Sequence, residues 1–192
     1  MGAVIAAPAR ALARPAPSLH VRPSRADDLA AMAAIYRANW AAGATTFEDA
    51  PPDDAEIARR RAAAVDNGLP HLVAEDASGR VVGWSWATPF RRLGAYRHTV
   101  EDSIYVAPDR AGRGIGRRLL GRLVDDCSAA GLQQMLAVVG DSRNAASLGL
   151  HRSLGFVQVG LLPAVGYRPG GWVDAVLLQR RLGDDPPPGQ AH

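Results

Sequence analysis

Hydrophobic residues follow two different periods along the chain, and these periods predict the elements of the fold. Alternating apolar and polar residues bounded by turn residues predict strands over 19–24, 71–76, 81–90, 99–106, 132–139, 156–163 and 172–182. Apolar residues at helical spacing predict helices over 25–41, 53–68 and 115–131, and a short helix that begins near Asn144. Ser24 is expected to cap the first helix, and Asn67 with Gly68 to end the second.

The order of these elements predicts the fold class. One strand and two helices are followed by three strands that read as antiparallel, and then by two helix–strand units and a final strand. This order indicates an α/β (α+β) domain with a mixed, mostly antiparallel sheet of about seven strands flanked by helices. A doubly wound nucleotide-binding fold would instead alternate strictly from its first strand and would carry a glycine loop directly after that strand.

Length and composition predict one domain with two tails. The chain has 192 residues, of which 47% are hydrophobic, enough for a single core. Residues 1–17 are rich in Ala, Pro and Arg, and residues 184–192 contain three consecutive prolines, so both are expected to be disordered around a domain spanning 18–183. The formal net charge of +3 favours anionic ligands, but no aromatic residues interleave with basic ones as in nucleic-acid-binding surfaces.

The sequence indicates a cytoplasmic protein. No window approaches the roughly 20 apolar residues of a membrane span. The start of the chain lacks the longer apolar run of a signal peptide, although an arginine-bearing organellar presequence stays open. Cys127 is the single cysteine, so an intramolecular disulfide and a cysteine-cluster metal site are excluded, and no metal is expected.

A glycine-rich loop separates the strand over 99–106 from the helix that follows it. With no side chains at Gly112, Gly114 and Gly116, backbone N–H groups can approach a ligand at the positive end of the helix dipole. The surrounding arginines add charge for a phosphorylated partner; they are Arg110, Arg113, Arg117 and Arg118. A tight turn with incidental arginines is the alternative, whereas a P-loop is excluded because it would need Lys followed by Ser or Thr after its last glycine.

The segment "YVAPDRAGRGIGRRLL" resembles the acetyl-CoA pyrophosphate loop of the GNAT N-acetyltransferase superfamily. The segments "AYRHTVEDSIYV", "AVVGDSRNAASLGLHRSLGF" and "VGYRPGGWVDAVLLQRRL" resemble its phosphinothricin and methionine sulfoximine acetyltransferase branch, so the likeness covers nearly all of residues 18–183. The signature at Gly166, Tyr167, Gly170, Gly171, Trp172 and Asp174 is more specific than the loop. Ala111 departs from the Gln or Arg usual at that loop position, which weakens side-chain support of the loop and leaves its backbone available for pyrophosphate.

The resemblance implies which residues bind the coenzyme. The implied set combines the strand edge, the glycine loop and the short helix: Tyr105, Val106, Arg113, Gly114, Ile115, Gly116, Arg117, Arg118, Asn144 and Ser147. The splayed edge over 104–106 would pair with the pantetheine amides, and the N–H of Val106 would face the thioester oxygen. Asn144 at this position would contact pantetheine, and it is also an ordinary helix N-cap.

Two residues carry the acid–base chemistry that the resemblance implies. Alternation along the strand places Glu101, Ser103 and Tyr105 on one face and Asp102 on the other. By resemblance, Glu101 occupies the position of the branch's general base, whereas spacing alone favours a solvated edge charge. His151 stands where the superfamily often has a proton-donating tyrosine, and its near-neutral pKa suits a supporting acid–base role. A lone histidine on an amphipathic helix is also commonly structural.

Several residues are candidates for binding the acceptor. Arg91, Arg92 and Arg97 precede the Glu101 strand and fit a carboxylate-bearing small amine, although a solvated basic loop has the same composition. By resemblance, Phe47 and Glu48 belong to a loop that covers the substrate, and Tyr167 lies in a region near the acceptor and a dimer partner. Trp84, Trp86 and Tyr96 would form an apolar wall, unless they are core residues.

The sequence therefore predicts an acetyl-CoA-dependent N-acetyltransferase. The resemblance implies a small amino-acid-like acceptor, such as phosphinothricin, methionine sulfoximine or methionine sulfone, and a homodimer. Direct attack in a ternary complex is expected, since Cys127 inside a helix is poorly placed as an acyl-enzyme nucleophile. A peptide or protein N-acetyltransferase and a non-catalytic acyl-CoA sensor are the alternatives, and the choice between resistance and amino-acid metabolism stays open.

Overall fold

The computed structural model describes residues 19–43, 47–48, 50–168 and 170–183. The predicted tails, 1–17 and 184–192, lie outside these ranges. The described strands are β1 His20–Pro23, β2 His71–Glu75, β3 Val81–Pro89, β4 Thr99–Val106, β5 Gln134–Gly140, β6 Val157–Arg168 and β7 Gly171–Arg181. The helices are α1 Leu29–Ala41, α2 Asp54–Asp66, α3 Ile115–Ala129 and α4 Ala145–Arg152, with short 3-10 turns at Ala26–Asp28, Gly94–Tyr96 and Pro108–Arg110.

The strands form one sheet in the order β1-β2-β3-β4-β5-β7-β6. Every neighbouring pair is antiparallel except β4 and β5, which run parallel because α3 crosses between them. The predicted fold class is confirmed. The parallel pairing extends only from Thr99 with Gln134 to Glu101 with Leu136, so the carboxyl-terminal parts of the two strands diverge.

The core lies on both faces of this sheet. On one face, α3 contributes Leu119, Leu120 and Leu123, which pack with Met135 of β5 and Phe156. On the other face, α1 and α2 cover an aromatic cluster that contains Tyr36, Trp84 and Trp86. The Trp84 and Trp86 rings stack with centroids 4.6 Å apart, and Tyr105 packs 4.7 Å from Tyr36. The aromatic residues of β3 are thus core residues, whereas Tyr96 is exposed and packs edge-on against Phe90.

The start of the first helix differs from the prediction. A 3-10 turn precedes α1, and its capping carboxylate belongs to Asp28, which accepts a hydrogen bond from the backbone N–H of Arg25 at 2.6 Å. Asp28 is held there by two hydrogen bonds of 2.8 Å from the Arg22 guanidinium. The hydroxyl of Ser24 instead accepts a hydrogen bond from Arg61 Nε at 2.9 Å, so the prediction of Ser24 as the helix cap was wrong.

Within the described residues, no helix is long and apolar enough to cross a membrane.

Candidate active site

A cavity of about 1310 Å³ opens where β4 and β5 diverge. Its walls come from the two strands beyond their last paired residues, together with the glycine loop, the start of α3 and α4. A further part of the lining comes from Asn39 of α1 and Ala42 directly after this helix, from Phe47 and Glu48, and from Arg60 of α2. A space of this size holds an extended ligand and a small second molecule together.

The glycine loop presents its backbone to the cavity. Gly112 and Gly114 adopt φ values of 73° and 76°, in the left-handed region that favours glycine, and Gly114 is the N-cap of α3. A Cβ at Gly116 would lie 3.1 Å from Leu150 Cδ2, so α3 and α4 approach closely here. Gly114, Ile115 and Gly116 line the cavity at the amino end of a 15-residue helix, where backbone N–H groups lack intrahelical partners. This arrangement fits a pyrophosphate group.

The arginines around the loop have different positions. Arg117 lines the cavity and donates a hydrogen bond to the Ser153 carbonyl at 3.3 Å. Arg113 and Arg118 are exposed, and among the described residues they do not belong to the cavity lining. Arg110 and Arg143 line it instead. Arginines therefore surround the loop, although Arg110 pairs with Asp109 and Arg143, which was not predicted, pairs with Asp141.

The remaining predicted coenzyme residues lie on the cavity wall. Tyr105 and Val106 line it from β4, and Asn144 and Ser147 from the start of α4. The side chain of Asn144 accepts a hydrogen bond from the Ser147 N–H at 3.1 Å, so Asn144 caps α4 while it also faces the cavity. Asn39 holds this wall in place by donating a hydrogen bond from its amide to the Val106 carbonyl at 2.9 Å.

Glu101 is a partly buried carboxylate on the cavity wall. Burial, followed by the negative charge of Asp102, raises the pKa of Glu101 above its ordinary value. Because it sits at the last position of the β4–β5 pairing, its side chain is placed where the cavity begins. A carboxylate with these properties can take a proton from a bound ammonium group.

His151 is 3% exposed and is bonded at both ring nitrogens. Nδ1 lies 2.8 Å from the Ser147 carbonyl oxygen, and Nε2 lies 3.1 Å from Oδ2 of Asp102. The Phe156 ring packs edge-on against it at 5.1 Å. Burial alone would lower the pKa of His151, but the hydrogen bond to Asp102, the charge of Asp102 and the Ser147 carbonyl raise it overall.

The predicted covering-loop residues also reach the cavity. Phe47 packs over Gly166 of β6, where an added Cβ would lie only 2.7 Å from Phe47 Cδ1. Glu48 accepts a hydrogen bond from the Tyr36 hydroxyl at 2.8 Å and pairs with Arg60 at 2.7 Å. Arg60 also bonds Glu56 at 2.6 Å, so its guanidinium is held between two carboxylates. Residues 44–46 and 49 of the same loop are outside the described ranges.

The structure does not bring the other predicted acceptor residues into the cavity lining of the described chain. Arg91, Arg92 and Arg97 are exposed, because the connection between β3 and β4 runs outward through the turn at Gly94–Tyr96. Arg91 lies over the Phe90 ring, 5.2 Å from its centroid. Tyr167 is 67% exposed and packs against Trp172 at 5.2 Å. The expectation that these four residues bind the acceptor is therefore corrected for this cavity, because they lie at the surface and outside its described lining.

Sequence reasoning missed several residues of the site. Asn39 and Arg60 lie on α1 and α2, far from the motifs along the chain, and their spacing resembles that of ordinary exposed helix residues. The sequence predicts that Asp102 lies on the strand face opposite Glu101, but it assigns Asp102 no role in the site. Its partner His151 is 49 positions away, and no periodicity links the two.

Comparisons with known proteins agree with this geometry. Residues 29–156 match the Acetyltransferase (GNAT) family. The phosphinothricin N-acetyltransferase of Alcaligenes faecalis is 50% identical over 162 residues, which cover 84% of this chain and 82% of that protein. The L-methionine sulfoximine/L-methionine sulfone acetyltransferase of Pseudomonas paraeruginosa is 41% identical over 170 residues, covering 86% of this chain and 95% of that protein.

A solved structure extends the likeness to three dimensions. The crystal structure of a GNAT superfamily phosphinothricin acetyltransferase from Sinorhizobium meliloti, in complex with AcCoA, superposes with a TM-score of 0.83 at 42% identity. The match covers 89% of this chain and 94% of that one. The resemblance drawn from the glycine loop and the carboxyl-terminal signature is confirmed, and the chain belongs to the acetyltransferase (GNAT) family.

Proposed function

We propose that this protein transfers the acetyl group of acetyl-CoA to the amino group of a small amino-acid-like acceptor of the phosphinothricin, methionine sulfoximine or methionine sulfone type. The activities of its relatives support this acceptor class. The observation that carries the proposal is that Glu101, a carboxylate with a raised pKa, lines the same cavity as the glycine loop.

The coenzyme is proposed to lie along the divergence of β4 and β5. The backbone of Gly114, Ile115 and Gly116 would hold its pyrophosphate, and Arg117 would add a charged contact. The β4 edge at Tyr105 and Val106 would pair with pantetheine, with Asn144 and Ser147 across from it. Arg113 and Arg118 remain candidates for contacts outside the cavity. Bound acetyl-CoA supplies an activated acetyl carbon.

Glu101 is proposed as the general base. It would take one proton from the acceptor ammonium, directly or through water, which frees the nitrogen lone pair for attack on the thioester carbon. The backbone N–H of Val106 would stabilise the negative charge that develops on the thioester oxygen. The carbon–sulfur bond then breaks, the nitrogen releases a second proton, and the departing thiolate takes up one proton to become CoA. His151, on the same cavity wall, is proposed to support that departure.

The acceptor is proposed to bind beside Phe47, Glu48 and Trp86, with Arg60 as the guanidinium within this part of the lining. A single protomer leaves Arg91, Arg92, Arg97 and Tyr167 at its surface. We propose that they contact the acceptor only when a neighbouring protomer covers them.

A homodimer is proposed on the basis of an exposed apolar strip on β6 and β7. Val157, Val159, Val165, Tyr167 and Trp172 are all more than half exposed, and β6 is the edge strand of the sheet. Exposed apolar residues on an edge strand mark an association surface. We further propose a cytoplasmic location, supported by the use of acetyl-CoA and by the buried free thiol of Cys127. Acetylation of a toxic amino-acid analogue would confer resistance.

The experiment that tests the acceptor class measures free-thiol release from acetyl-CoA by the purified protein. The acceptors are phosphinothricin, methionine sulfoximine, methionine sulfone, ordinary amino acids, polyamines and peptides with free amino termini. Turnover confined to the small amines with a carboxylate is the expected result. Turnover on peptides alone would overturn the acceptor class, and tight acetyl-CoA binding without turnover on any amine would favour the sensor alternative.

A further inference from the structure

The hydrogen-bond partners of His151 determine the protonation state of its ring as well as its position. Both ring nitrogens have a partner at hydrogen-bond distance, and both partners are acceptors: a main-chain carbonyl at Ser147 and a carboxylate at Asp102. The side chains of His151 and Asp102 are 3% and 1% exposed, so water cannot replace either contact. A neutral imidazole has one N–H and one lone pair, and it cannot satisfy two acceptors.

The position of each proton follows from the chemistry of the partners. A carbonyl oxygen only accepts, so the 2.8 Å contact requires a proton on Nδ1. The Ser147 hydroxyl lies farther away, at 3.4 Å, and offers Nδ1 a weaker alternative. With Nδ1 protonated, the 3.1 Å contact between Nε2 and Asp102 needs a second proton. Imidazole is the stronger base of the two groups, so that proton belongs on the ring.

From this geometry we propose that Asp102 is a positioning residue that holds His151 as an imidazolium, with both N–H groups bonded to the protein. The ring then carries a fixed positive charge at the cavity wall. It has no lone pair with which to act as a base, and its protons are committed to Ser147 and Asp102. This inference refines the role of His151 and rests on the proposed function for its catalytic consequence.

The groups around the pair agree with one carboxylate and one cation. From β4, Asp102 faces the ring, and Glu101 lines the cavity beside it. Cys127 of α3 is a further titratable group near the pair. Burial, followed by the charges of Asp126 and Asp102, raises the pKa of its thiol to about 12, so the thiol is neutral. Oδ1 of Asp102 is buried and has no hydrogen-bond partner among the described residues. The imidazolium is therefore the group that compensates the buried charge of Asp102.

The consequence for acetyl transfer is electrostatic. A positive charge at the cavity wall stabilises the thiolate as the carbon–sulfur bond breaks, and it does so without giving up a proton. The proton that CoA finally carries would come from the acceptor nitrogen or from solvent. The reaction would consequently continue at pH values where an ordinary histidine has lost its charge.

The test uses the full-length protein with 15N-labelled histidine and reads the ring nitrogens by NMR. The chain has five histidines, and the His151 signals are assigned by their loss in His151→Gln. At pH 7.5 both nitrogens of His151 are expected to show the shifts of an imidazolium, so the titration midpoint should lie above pH 7.5, compared with the ordinary value of about 6.5. In Asp102→Asn the midpoint is expected to fall by at least about one pH unit, because burial remains and the carboxylate is lost.

A matched control and a kinetic readout separate positioning from folding. Asp126→Asn removes a nearby carboxylate that does not contact the ring, and it should leave the His151 midpoint unchanged. With an active acceptor, Asp102→Asn should lower kcat about tenfold or more at pH 8 while the KM for acetyl-CoA stays within about twofold.

A neutral His151 ring in the wild-type protein at pH 7.5 would overturn the proposal, as would an unchanged midpoint in Asp102→Asn. If Asp102→Asn does not fold, the wild-type spectrum alone decides. The NMR result does not depend on turnover, so a protein that acetylates no amine can still show the imidazolium. Failure of the proposed function is therefore distinguished from failure of this inference.

Discussion

Glu101 and Leu136 form the last pair of residues along which β4 and β5 run side by side. Beyond this pair the strands diverge, and the space between them becomes the cavity that the glycine loop and α4 enclose. The candidate base therefore lies at the junction between a fully paired sheet and an open one. This junction couples the fold to the chemistry, because the same unpaired edge can receive a coenzyme.

The glycine loop should control coenzyme affinity. In Gly114→Val, a branched side chain would occupy a left-handed position at the point where backbone N–H groups face the cavity. We expect the KM for acetyl-CoA to rise about tenfold or more. Steady-state kinetics measure this, and Gly121→Ala, on the same helix but outside the cavity, is the control. Equal KM values in the two variants would show that the loop does not hold the coenzyme.

Gly166 should matter for the acceptor rather than for the coenzyme. Its missing side chain lets Phe47 pack against β6, and a Cβ there would displace the ring from the cavity wall. In Gly166→Ala the KM for the acceptor should rise by about five- to tenfold, with the KM for acetyl-CoA unchanged. Gly149→Ala, at a helical position with open space around it, serves as the matched variant. A rise in the coenzyme KM alone would contradict this assignment.

Acid should destabilise the protein through His71. This ring is 4% exposed, stacks on Trp84 and Trp86, and has no hydrogen-bond partner at either nitrogen among the described residues. Burial, followed by the charge of Arg61, lowers the pKa of His71 to about 4. Because the unfolded chain binds this proton near pH 6.5, the stability is fully present above that pH and decreases as the pH falls toward 4.

The free energy of unfolding of the wild-type protein should therefore lose about 2 kcal/mol between pH 7 and pH 5 through this one group. His71→Phe keeps the aromatic stack and should remove that share of the pH dependence. Denaturant unfolding at the two pH values measures both, with His98→Gln as the control at an exposed histidine. The expectation fails if His71→Phe and the wild-type protein lose stability in parallel.

The apolar strip of β6 and β7 predicts self-association. A charge at its centre, as in Val159→Glu, should convert a dimer into monomers, because the buried carboxylate would lack a partner. Sedimentation velocity distinguishes the two species, and Gln158→Glu adds the same charge at the preceding position, where the side chain already bonds Arg152. A wild-type monomer at micromolar concentration would remove the basis of the dimer proposal.

Most strands and helices could be predicted from the sequence because the hydrophobic periodicity of each element lies within a short segment of the chain. The alternation in 99–106 and the helical spacing in 115–131 each predicted an element close to its observed bounds. Contacts between distant segments were not accessible. The prediction of Ser24 as the helix cap was wrong because the Arg22 guanidinium bonds Asp28, whose carboxylate accepts the Arg25 N–H at the start of the helix. Arg91, Arg92 and Arg97 were expected at the acceptor because they are charged and precede the Glu101 strand, whereas the connection after Phe90 leaves them exposed.

In the candidate site, too, local motifs could be predicted from the sequence, whereas contacts between distant segments could not. Glu101 and the glycine loop lie within one continuous motif, so the resemblance could identify them together. The pairing of Asp102 with His151, and of Glu48 with Arg60, depends on how α4 and α2 pack onto the sheet. Such pairs become visible only when the elements are assembled.

The central claim is that Glu101 deprotonates the acceptor, and a comparison of pH–rate profiles tests it most directly. Since burial and Asp102 raise the pKa of Glu101, the wild-type rate should decrease as the pH falls through that pKa. Glu101→Gln should lower kcat about 100-fold or more at pH 7, with the KM for acetyl-CoA within about twofold, and the deficit should shrink as the pH rises. Asp125→Asn, an exposed carboxylate of α3, provides the control. A Glu101→Gln enzyme that keeps wild-type turnover and the wild-type pH profile would show that the base lies elsewhere.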